Sequence, residues 1–139
     1  MIAVDTNVLL RYLYRKDDPS QSERAAALID GAAAQGQPVF VSVVVLCELV
    51  WTLKGAYRLH HTDLGALLHQ LLTFAGEAAR PVFLIEHEDE VRKALDEYAT
   101  GSAGFADYLI GRIAHSAGAI TTYTFDRHAA AAATFKRVR

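Results

Sequence analysis

Short apolar segments alternate with longer amphipathic segments along the whole chain. The apolar segments predict four β-strands and a final edge strand: Ile2–Asp5, Val39–Val41, Pro81–Ile85, Ala119–Tyr123 and Phe135–Arg139. Apolar residues at helical spacing predict the helices Val8–Arg15, Ser20–Ala34, Val43–Tyr57, Thr62–Phe74, Glu88–Tyr98 and Phe105–Ala117. This alternation predicts a single α/β domain over residues 1–139, with three layers. Its central, mostly parallel sheet of four or five strands carries helices on both faces.

Local polar residues indicate where some of these helices begin and end. The sequence Ser20-Gln21-Ser22-Glu23 has the pattern of a capping box and is expected to open the second helix. Ser42 is expected to cap the third helix in the same way. An alanine-rich helical turn follows Asp126.

Composition and charge narrow the classes of function. The net charge is −2, with 14 basic and 16 acidic residues, so a broad electropositive surface is excluded as the main route to nucleic acid. Bound metal ions could still neutralise acids that face an RNA. Cys47 is the single cysteine, which excludes an internal disulfide and fits a reducing cytoplasm. No apolar run approaches the ~20 residues of a membrane span, so a cytoplasmic protein without membrane contact is expected.

Two carboxylates stand in unusual positions in the first half of the chain. Asp5 ends an apolar run and is followed at once by Thr6 and Asn7, and the carboxyl edge of an open α/β sheet is where ligands bind. Glu48 is the only charged residue from Val43 to Trp51. A carboxylate in such surroundings is costly unless it is paired, so a buried ion pair with an arginine is the structural alternative to a ligand role.

The second half of the chain contributes two more acids. Asp107 lies in the first turn of a helix, where the helix dipole alone would favour an acid. Gly111, four residues on, is expected to leave space beside this carboxylate. Asp126 follows the fourth strand and could be a simple helix cap. The Thr124 hydroxyl is expected beside Asp126, because residues two apart point the same way in an extended chain.

Considered together, the four acids indicate a shared ligand-binding site more strongly than any one of them does. In a parallel sheet the four carboxylates can converge at one edge, and they cannot all stay ionised there without compensation. Ligands made only of oxygen favour Mg²⁺ or Mn²⁺ over zinc. Such ions suit phosphodiester hydrolysis, in which one metal activates water and a second, roughly 4 Å away, stabilises the leaving oxygen.

The motifs that carry these acids resemble those of the PIN domain. They are Ile2-Ala3-Val4-Asp5-Thr6-Asn7, Ser42 with Glu48 six residues later, Phe105-Ala106-Asp107-Tyr108-Leu109-Ile110, and Thr124-Phe125-Asp126. The resemblance covers nearly the whole chain, which within the PIN domains is similar to the VapC toxins of bacterial toxin–antitoxin pairs. Many relatives carry another aspartate three residues before the third acid, where this chain has Gly104. The resemblance therefore extends to a four-acid core and not to a fifth carboxylate.

The resemblance implies a Mg²⁺- or Mn²⁺-dependent endoribonuclease that is inhibited by a cognate VapB-type antitoxin and forms a homodimer. It assigns metal binding and catalysis to the four acids, and orientation of those acids to Thr6, Asn7 and Thr124. Candidates for contacts with RNA phosphates are the basic residues near the acids: Arg11, Arg15, Arg112 and Arg127. Trp51 is expected in the core or in the dimer interface.

Two other classes of function remain open from the sequence. The first is a haloacid dehalogenase-like phosphatase with Asp5 as nucleophile. That chemistry typically uses a second aspartate two residues later, where this chain has Asn7, and a late supporting lysine, which is not evident. The second is a non-catalytic binding module with the PIN fold, and the presence of all four acids weighs against it.

Overall fold

The chain combines six α-helices with five short strands in the parts described. The computed structural model describes residues 1–74 and 83–139. Contacts divide the chain into two compact units, Met1–Glu86 and His87–Arg139. Every strand pair within them is parallel, so the predicted α/β class with parallel strands is confirmed. No helix within the described residues is long and apolar enough to cross a membrane.

The N-terminal unit is built on a three-stranded parallel sheet. Its elements are β1 (Ile2–Ala3), α1 (Thr6–Leu13), α2 (Pro19–Ala34), β2 (Val39–Val41), α3 (Val43–Gly55), α4 (His61–Thr73) and β3 (Phe83–Ile85). Strand β2 lies between β1 and β3, with Val39 in register with Ile2 on one side and with Phe83 on the other. The carboxyl ends of all three strands therefore meet at one edge of the sheet.

The core of this unit forms because apolar positions of the helices pack together with the sheet. Leu9, Val39 and Leu46 are almost completely buried. Three aromatic rings add to this packing, since the Phe83 ring centroid lies 6.0 Å from that of Tyr12 and 5.9 Å from that of Phe74.

The sequence prediction of a third strand at Pro81–Ile85 is confirmed for Phe83–Ile85; its first two residues lie outside the described part.

The C-terminal unit is a helical pair with a two-stranded parallel sheet. Its elements are α5 (Glu88–Thr100), α6 (Phe105–Ser116), β4 (Thr122–Thr124), a 3₁₀ turn (Ala129–Ala131) and β5 (Phe135–Arg137). Thr122 is in register with Phe135. The rings of Tyr98 and Phe105 meet edge to face, with centroids 6.0 Å apart, and hold α5 against α6.

Several element boundaries differ from those predicted from the sequence, each for a local reason. Helix α1 begins at Thr6 rather than Val8, because Asp5 is its N-cap. The predicted capping box at Ser20 is wrong: Asp18 caps α2 by accepting a hydrogen bond from the Gln21 N–H over 3.0 Å, and Pro19 occupies the first helical position. Strand β4 covers Thr122–Thr124 instead of starting at Ala119.

Candidate functional site

Asp5 is an exposed carboxylate whose orientation is set by the backbone. The preceding residue still pairs with β2, since the Val4 N–H donates to the Phe40 carbonyl over 3.4 Å. The Asp5 Oδ1 accepts a hydrogen bond from the Val8 N–H over 3.1 Å and so caps α1. Within the described residues of the N-terminal unit, its other oxygen accepts no hydrogen bond. Asp5 therefore presents one fixed, uncommitted oxygen at the carboxyl edge of the sheet.

Glu48 does not have the buried environment that its neighbours in sequence suggest. It lies on α3 and is exposed, so the structural alternative of a buried ion pair with an arginine is wrong. Val44 and Trp51, which share its face, are 63% and 79% exposed. The opposite face carries the packing through Leu46 and Leu49. The prediction that Trp51 lies in the core is therefore also wrong, and its place in a dimer interface stays a prediction.

Glu86 is a further acid at the same edge, outside the four acids that the sequence motifs single out. Its N–H donates to the Val41 carbonyl over 2.9 Å, and its Oε1 accepts from the Val43 N–H over 3.0 Å. Glu86 therefore caps α3 together with Ser42, whose Oγ accepts from the Val45 N–H over 3.2 Å. The signal was present in the sequence, since Glu86 comes at the end of an apolar strand segment, as Asp5 does.

Asp107 occupies the first turn of α6, as predicted, and its side chain is half-buried. Its Oδ2 accepts a hydrogen bond from the Gly104 N–H over 3.1 Å. The expectation that Gly111 leaves open space beside this acid is wrong. A Cβ on Gly111 would lie 2.3 Å from the Thr134 Oγ1 and 2.5 Å from the Phe135 Cε2, so the glycine allows close approach of β5 to the helix.

Asp126 is exposed and held at both its backbone and its side chain. Its Oδ1 accepts a hydrogen bond from the Ala129 N–H over 2.7 Å, and this bond is the main reason that the pKa of Asp126 lies below its ordinary value. The Asp126 N–H donates to the Thr124 Oγ1 over 3.0 Å, so the predicted proximity of this hydroxyl is confirmed. With a pKa below its already acidic ordinary value, Asp126 is ionised at neutral pH, the state in which a carboxylate binds a cation.

A hydrogen bond joins the two loops that carry acids in the C-terminal unit. The His128 Nδ1 and the Ser102 Oγ are 3.0 Å apart, two residues from Asp126 and from Gly104 respectively. The loop before α6 is thereby tied to the loop after β4. This contact limits the relative movement of the segments that bear Asp107 and Asp126.

Three of the four acids thus share one arrangement, in which a backbone N–H orients the carboxylate. Carboxylate oxygens are the donors that Mg²⁺ and Mn²⁺ prefer, and a ligand already oriented by a hydrogen bond needs less ordering when it binds a cation. Among the described residues, no group of three or more His, Cys, Asp or Glu side chains is placed to hold a metal ion. The donor chemistry fits a hard divalent cation, and convergence of all four acids stays a prediction.

The four arginines predicted to contact RNA differ in how far they are already engaged. Arg11 donates to Asp17 and Tyr57, and Arg112 forms an ion pair with Glu97. The Arg15 Nε donates to a backbone carbonyl over 3.0 Å. The fourth, Arg127, is exposed and forms no hydrogen bond or ion pair within the described residues of its unit.

A surface cleft of about 310 Å³ adjoins Asp5 in the N-terminal unit. It is lined by residues of α1 and α2 together with the capping acid: Asp5, Asn7, Val8, Arg11, Gln21, Arg24, Ala25 and Leu28. Asn7 therefore lies in the same cleft as the acid it is predicted to support, whereas Thr6 is the half-buried first residue of α1.

A comparison with protein-family models matches residues 2–135 to the PIN domain. This chain belongs to the PIN domain family. A search of curated proteins found no match. The match spans both compact units and includes all four predicted acids, so the resemblance to a PIN domain is confirmed. PIN domains are generally nucleases that depend on divalent metals, and membership therefore suggests a nuclease-type function for this chain.

Proposed function

We propose that this PIN domain is the VapC-type toxin of a bacterial toxin–antitoxin pair and acts as a Mg²⁺- or Mn²⁺-dependent endoribonuclease. One observation carries the proposal: the acids of the four motifs occur in order within the PIN match, and three of them are held by backbone N–H groups at helix starts. An acid fixed in this way is preorganised for a charged ligand.

The proposed metal ligands are Asp5, Glu48, Asp107 and Asp126. Asp5 would be the central ligand, helped by Asp107, and Glu48 and Asp126 would bind the cation directly or through water. When bound, the cation supplies neutralisation of phosphate charge and a water of lowered pKa. The chain contributes the orientation of its acids, for which the hydrogen bonds from Val8, Gly104 and Ala129 to the carboxylates are the observed basis. Thr6, Asn7 and Thr124 complete this support.

The proposed partners are an RNA substrate, a VapB-type antitoxin and a second copy of the chain, in the cytoplasm. An exposed apolar face on α3 supports a protein partner, because Trp51 and Val44 are large apolar side chains left in solvent. The net charge of −2 supports a cation-dependent approach of RNA rather than broad attraction. A Trp51→Glu variant that stays a dimer in light scattering would argue against this face as the dimer contact.

RNA cleavage by the purified chain tests the proposed activity. We expect internal cleavage with Mg²⁺ or Mn²⁺, no cleavage in EDTA, and loss of cleavage in Asp5→Asn and Asp126→Asn. Asp96→Asn is the matched control, because Asp96 is an exposed acid of α5 outside the four motifs. Sequencing of the RNA ends after brief expression without an antitoxin identifies the substrate. Cleavage that persists in EDTA with all variants active would contradict the proposal.

A non-catalytic binding module is the second candidate, because an observation favours it. Asp5, Asp107 and Asp126 each cap or brace a helix start, so each has a structural reason to be acidic. That reason does not extend to Glu48, which is exposed and braces nothing within the described part of its unit. A folded chain that binds RNA but never cleaves it with either metal would support the binding module. Trapping of a phosphorylated Asp5 would instead support the haloacid dehalogenase-like phosphatase.

A further inference from the structure

The cleft beside Asp5 is formed by matching faces of two packed helices. On α2, residues Gln21, Arg24, Ala25 and Leu28 follow the spacing of a single helical face. The side of α1 that faces them begins at the Asp5 cap, so the cleft opens directly beside that carboxylate. Its volume of about 310 Å³ lies at the lower end of the usual ~300–1,000 Å³ of pockets for small ligands.

Two arginines line this cleft, and their states differ. Arg11 is already committed, because its guanidinium donates to Gln21 over 2.8 Å, to Asp17 over 3.0 Å and to Tyr57 over 3.1 Å. Arg24 is exposed and, within the described residues of the N-terminal unit, has no hydrogen bond or ion pair. Arg24 therefore has all five N–H donors available for an anionic ligand.

The rest of the cleft lining is uncharged and combines apolar side chains with side-chain amides. Val8, Ala25 and the half-exposed Leu28 provide an apolar wall, with Leu28 50% exposed. Asn7 and Gln21 provide side-chain amides; Gln21 uses its Oε1 to accept from Arg11, which leaves its NH₂ group as a donor. A flat apolar ring with polar edges and an adjacent anionic group would satisfy the wall, the amides and Arg24 together.

We propose that this cleft binds one nucleotide of single-stranded RNA, next to the phosphate that is cleaved at Asp5, and that Arg24 contacts the phosphate of that nucleotide. The inference rests on the proposed nuclease function and names a substrate subsite for it. Proteins recognise unpaired bases by stacking the ring on aromatic side chains or guanidinium planes and by hydrogen bonds to the base edge. In this cleft the aliphatic wall of Val8, Ala25 and Leu28 would take the place of the aromatic side chain. Guanidinium groups bind phosphate oxygens with geometric specificity.

RNA fits this cleft better than a peptide segment because of charge. The cleft lining carries two guanidinium groups, of Arg11 and Arg24, against the one carboxylate of Asp5, so the lining is net positive even without a bound cation. Every nucleotide supplies a phosphate for such a site, whereas a peptide supplies an acid only at particular positions. Docking of a protein segment without any RNA contact is the competing outcome.

The test compares the full chain with Arg24→Ala, Arg24→Lys and a control, Lys54→Ala. Lys54 is exposed on α3 and lies outside the cleft. Lys54→Ala removes one positive charge, as Arg24→Ala does, so it controls for the change in net charge. The probe is a short RNA that contains the mapped cleavage sequence. We expect Arg24→Ala to raise KM roughly tenfold or more with little change in kcat, as for loss of a hydrogen bond to a charged group. Arg24→Lys should recover part of the effect, and Lys54→Ala should match the wild type.

Neutral methylphosphonates placed one at a time in the RNA identify the contacted phosphate. We expect one position, adjacent to the cleaved bond, at which neutralisation weakens the wild type and leaves Arg24→Ala unchanged. Equal KM values for the wild type and Arg24→Ala, or an equal response of both at every position, would overturn the subsite. So would Arg24→Ala losing only the binding of a protein partner.

Binding of the same RNA in EDTA, measured by fluorescence anisotropy, separates this inference from the proposed function. Weaker binding by Arg24→Ala than by Lys54→Ala supports the subsite even if the wild type cleaves nothing, in which case the nuclease alone is rejected. Equal binding by the two variants rejects the subsite even where cleavage is robust.

Discussion

The backbone N–H of Gly104 orients the Asp107 carboxylate through a hydrogen bond of 3.1 Å. A Cβ at this position would lie 3.3 Å from the Asp107 Oδ2, so any side chain there would press on the oxygen that accepts the bond. The glycine leaves this oxygen uncrowded, and its backbone N–H fixes the orientation of the acid.

The structural and the proposed catalytic roles of Asp5 can be separated by two substitutions. Asp5→Asn keeps an oxygen that accepts from the Val8 N–H, and asparagine caps helices about as well as aspartate. We expect stability to change little and RNA cleavage to fall roughly 100-fold or more, because a neutral amide is a poor cation ligand. Asp5→Ala should in addition lower the free energy of unfolding by about 1 kcal/mol.

Urea unfolding and cleavage rates, measured on the same preparations, check both effects. If Asp5→Asn lowers the cleavage rate without lowering the free energy of unfolding, the charge of the carboxylate is needed for function and not for stability. Wild-type cleavage by a folded Asp5→Asn protein would remove Asp5 from the set of metal ligands.

Glu48 gives the cleanest test of the four-acid proposal, because it is exposed and caps no helix. We expect Glu48→Gln to change the free energy of unfolding by less than about 0.5 kcal/mol, as surface substitutions do. Cleavage should fall roughly tenfold to 100-fold, with a higher Mg²⁺ concentration needed for half-maximal rate. Glu23→Gln, on the exposed side of α2, is the control. Identical Mg²⁺ dependence in Glu48→Gln and Glu23→Gln would exclude Glu48 from the metal site.

The positions of strands and acids were predictable because they depend on local pattern. A short apolar run that ends in Asp5 defines both the strand and the acid at its carboxyl end. The exposure of Glu48 was not predictable in this way. Apart from Glu48 the segment Val43–Trp51 is apolar on every side, so periodicity cannot distinguish the buried face, which holds Leu46 and Leu49, from the exposed face, which holds Val44.

Other features depend on contacts that no local pattern encodes. The closeness of Thr134 to Gly111 joins residues far apart in sequence, so the glycine was interpreted as space for the neighbouring acid. The start of α2 was ambiguous for a different reason, since Asp18 and Ser20 are both good caps within three residues. Pro19 favours the earlier start, because its fixed φ suits the first helical position and its missing N–H is not needed there.

The space around two helical glycines predicts opposite effects of replacing each by alanine. In Gly111→Ala the new Cβ would overlap Thr134 and Phe135, and we expect the free energy of unfolding to fall by about 1–3 kcal/mol. Gly31→Ala, in the last turn of α2 with nothing within 4 Å of the new Cβ, should instead raise it by up to about 0.5–1 kcal/mol. Urea unfolding measures both. If Gly111→Ala left the free energy of unfolding unchanged, β5 would be able to move away from the helix at little cost.

The network of Arg11, Asp17 and Tyr57 predicts a pH dependence of stability. The Tyr57 hydroxyl donates to the Asp17 Oδ2 over 2.7 Å and, followed by Arg11, holds the pKa of Asp17 below its ordinary value. A carboxylate with a lowered pKa in the folded state stabilises fully above its unfolded pKa of about 3.9. This contribution is lost as the pH falls through the lower folded value, because the unfolded chain then binds protons more readily.

Tyr57→Phe removes the largest cause of that shift and keeps the ring contact with Tyr14. We expect the wild type to be more stable than Tyr57→Phe at pH 6, and the difference to shrink as the pH falls below about 4. Urea unfolding of both proteins between pH 3 and 6 measures this difference in stability. The control adds Tyr57→Phe to an Asp17→Asn protein, where we expect its effect on stability not to depend on pH in this way. A difference of equal size at pH 3 and pH 6 would show that the hydroxyl stabilises the fold without acting through the charge of Asp17.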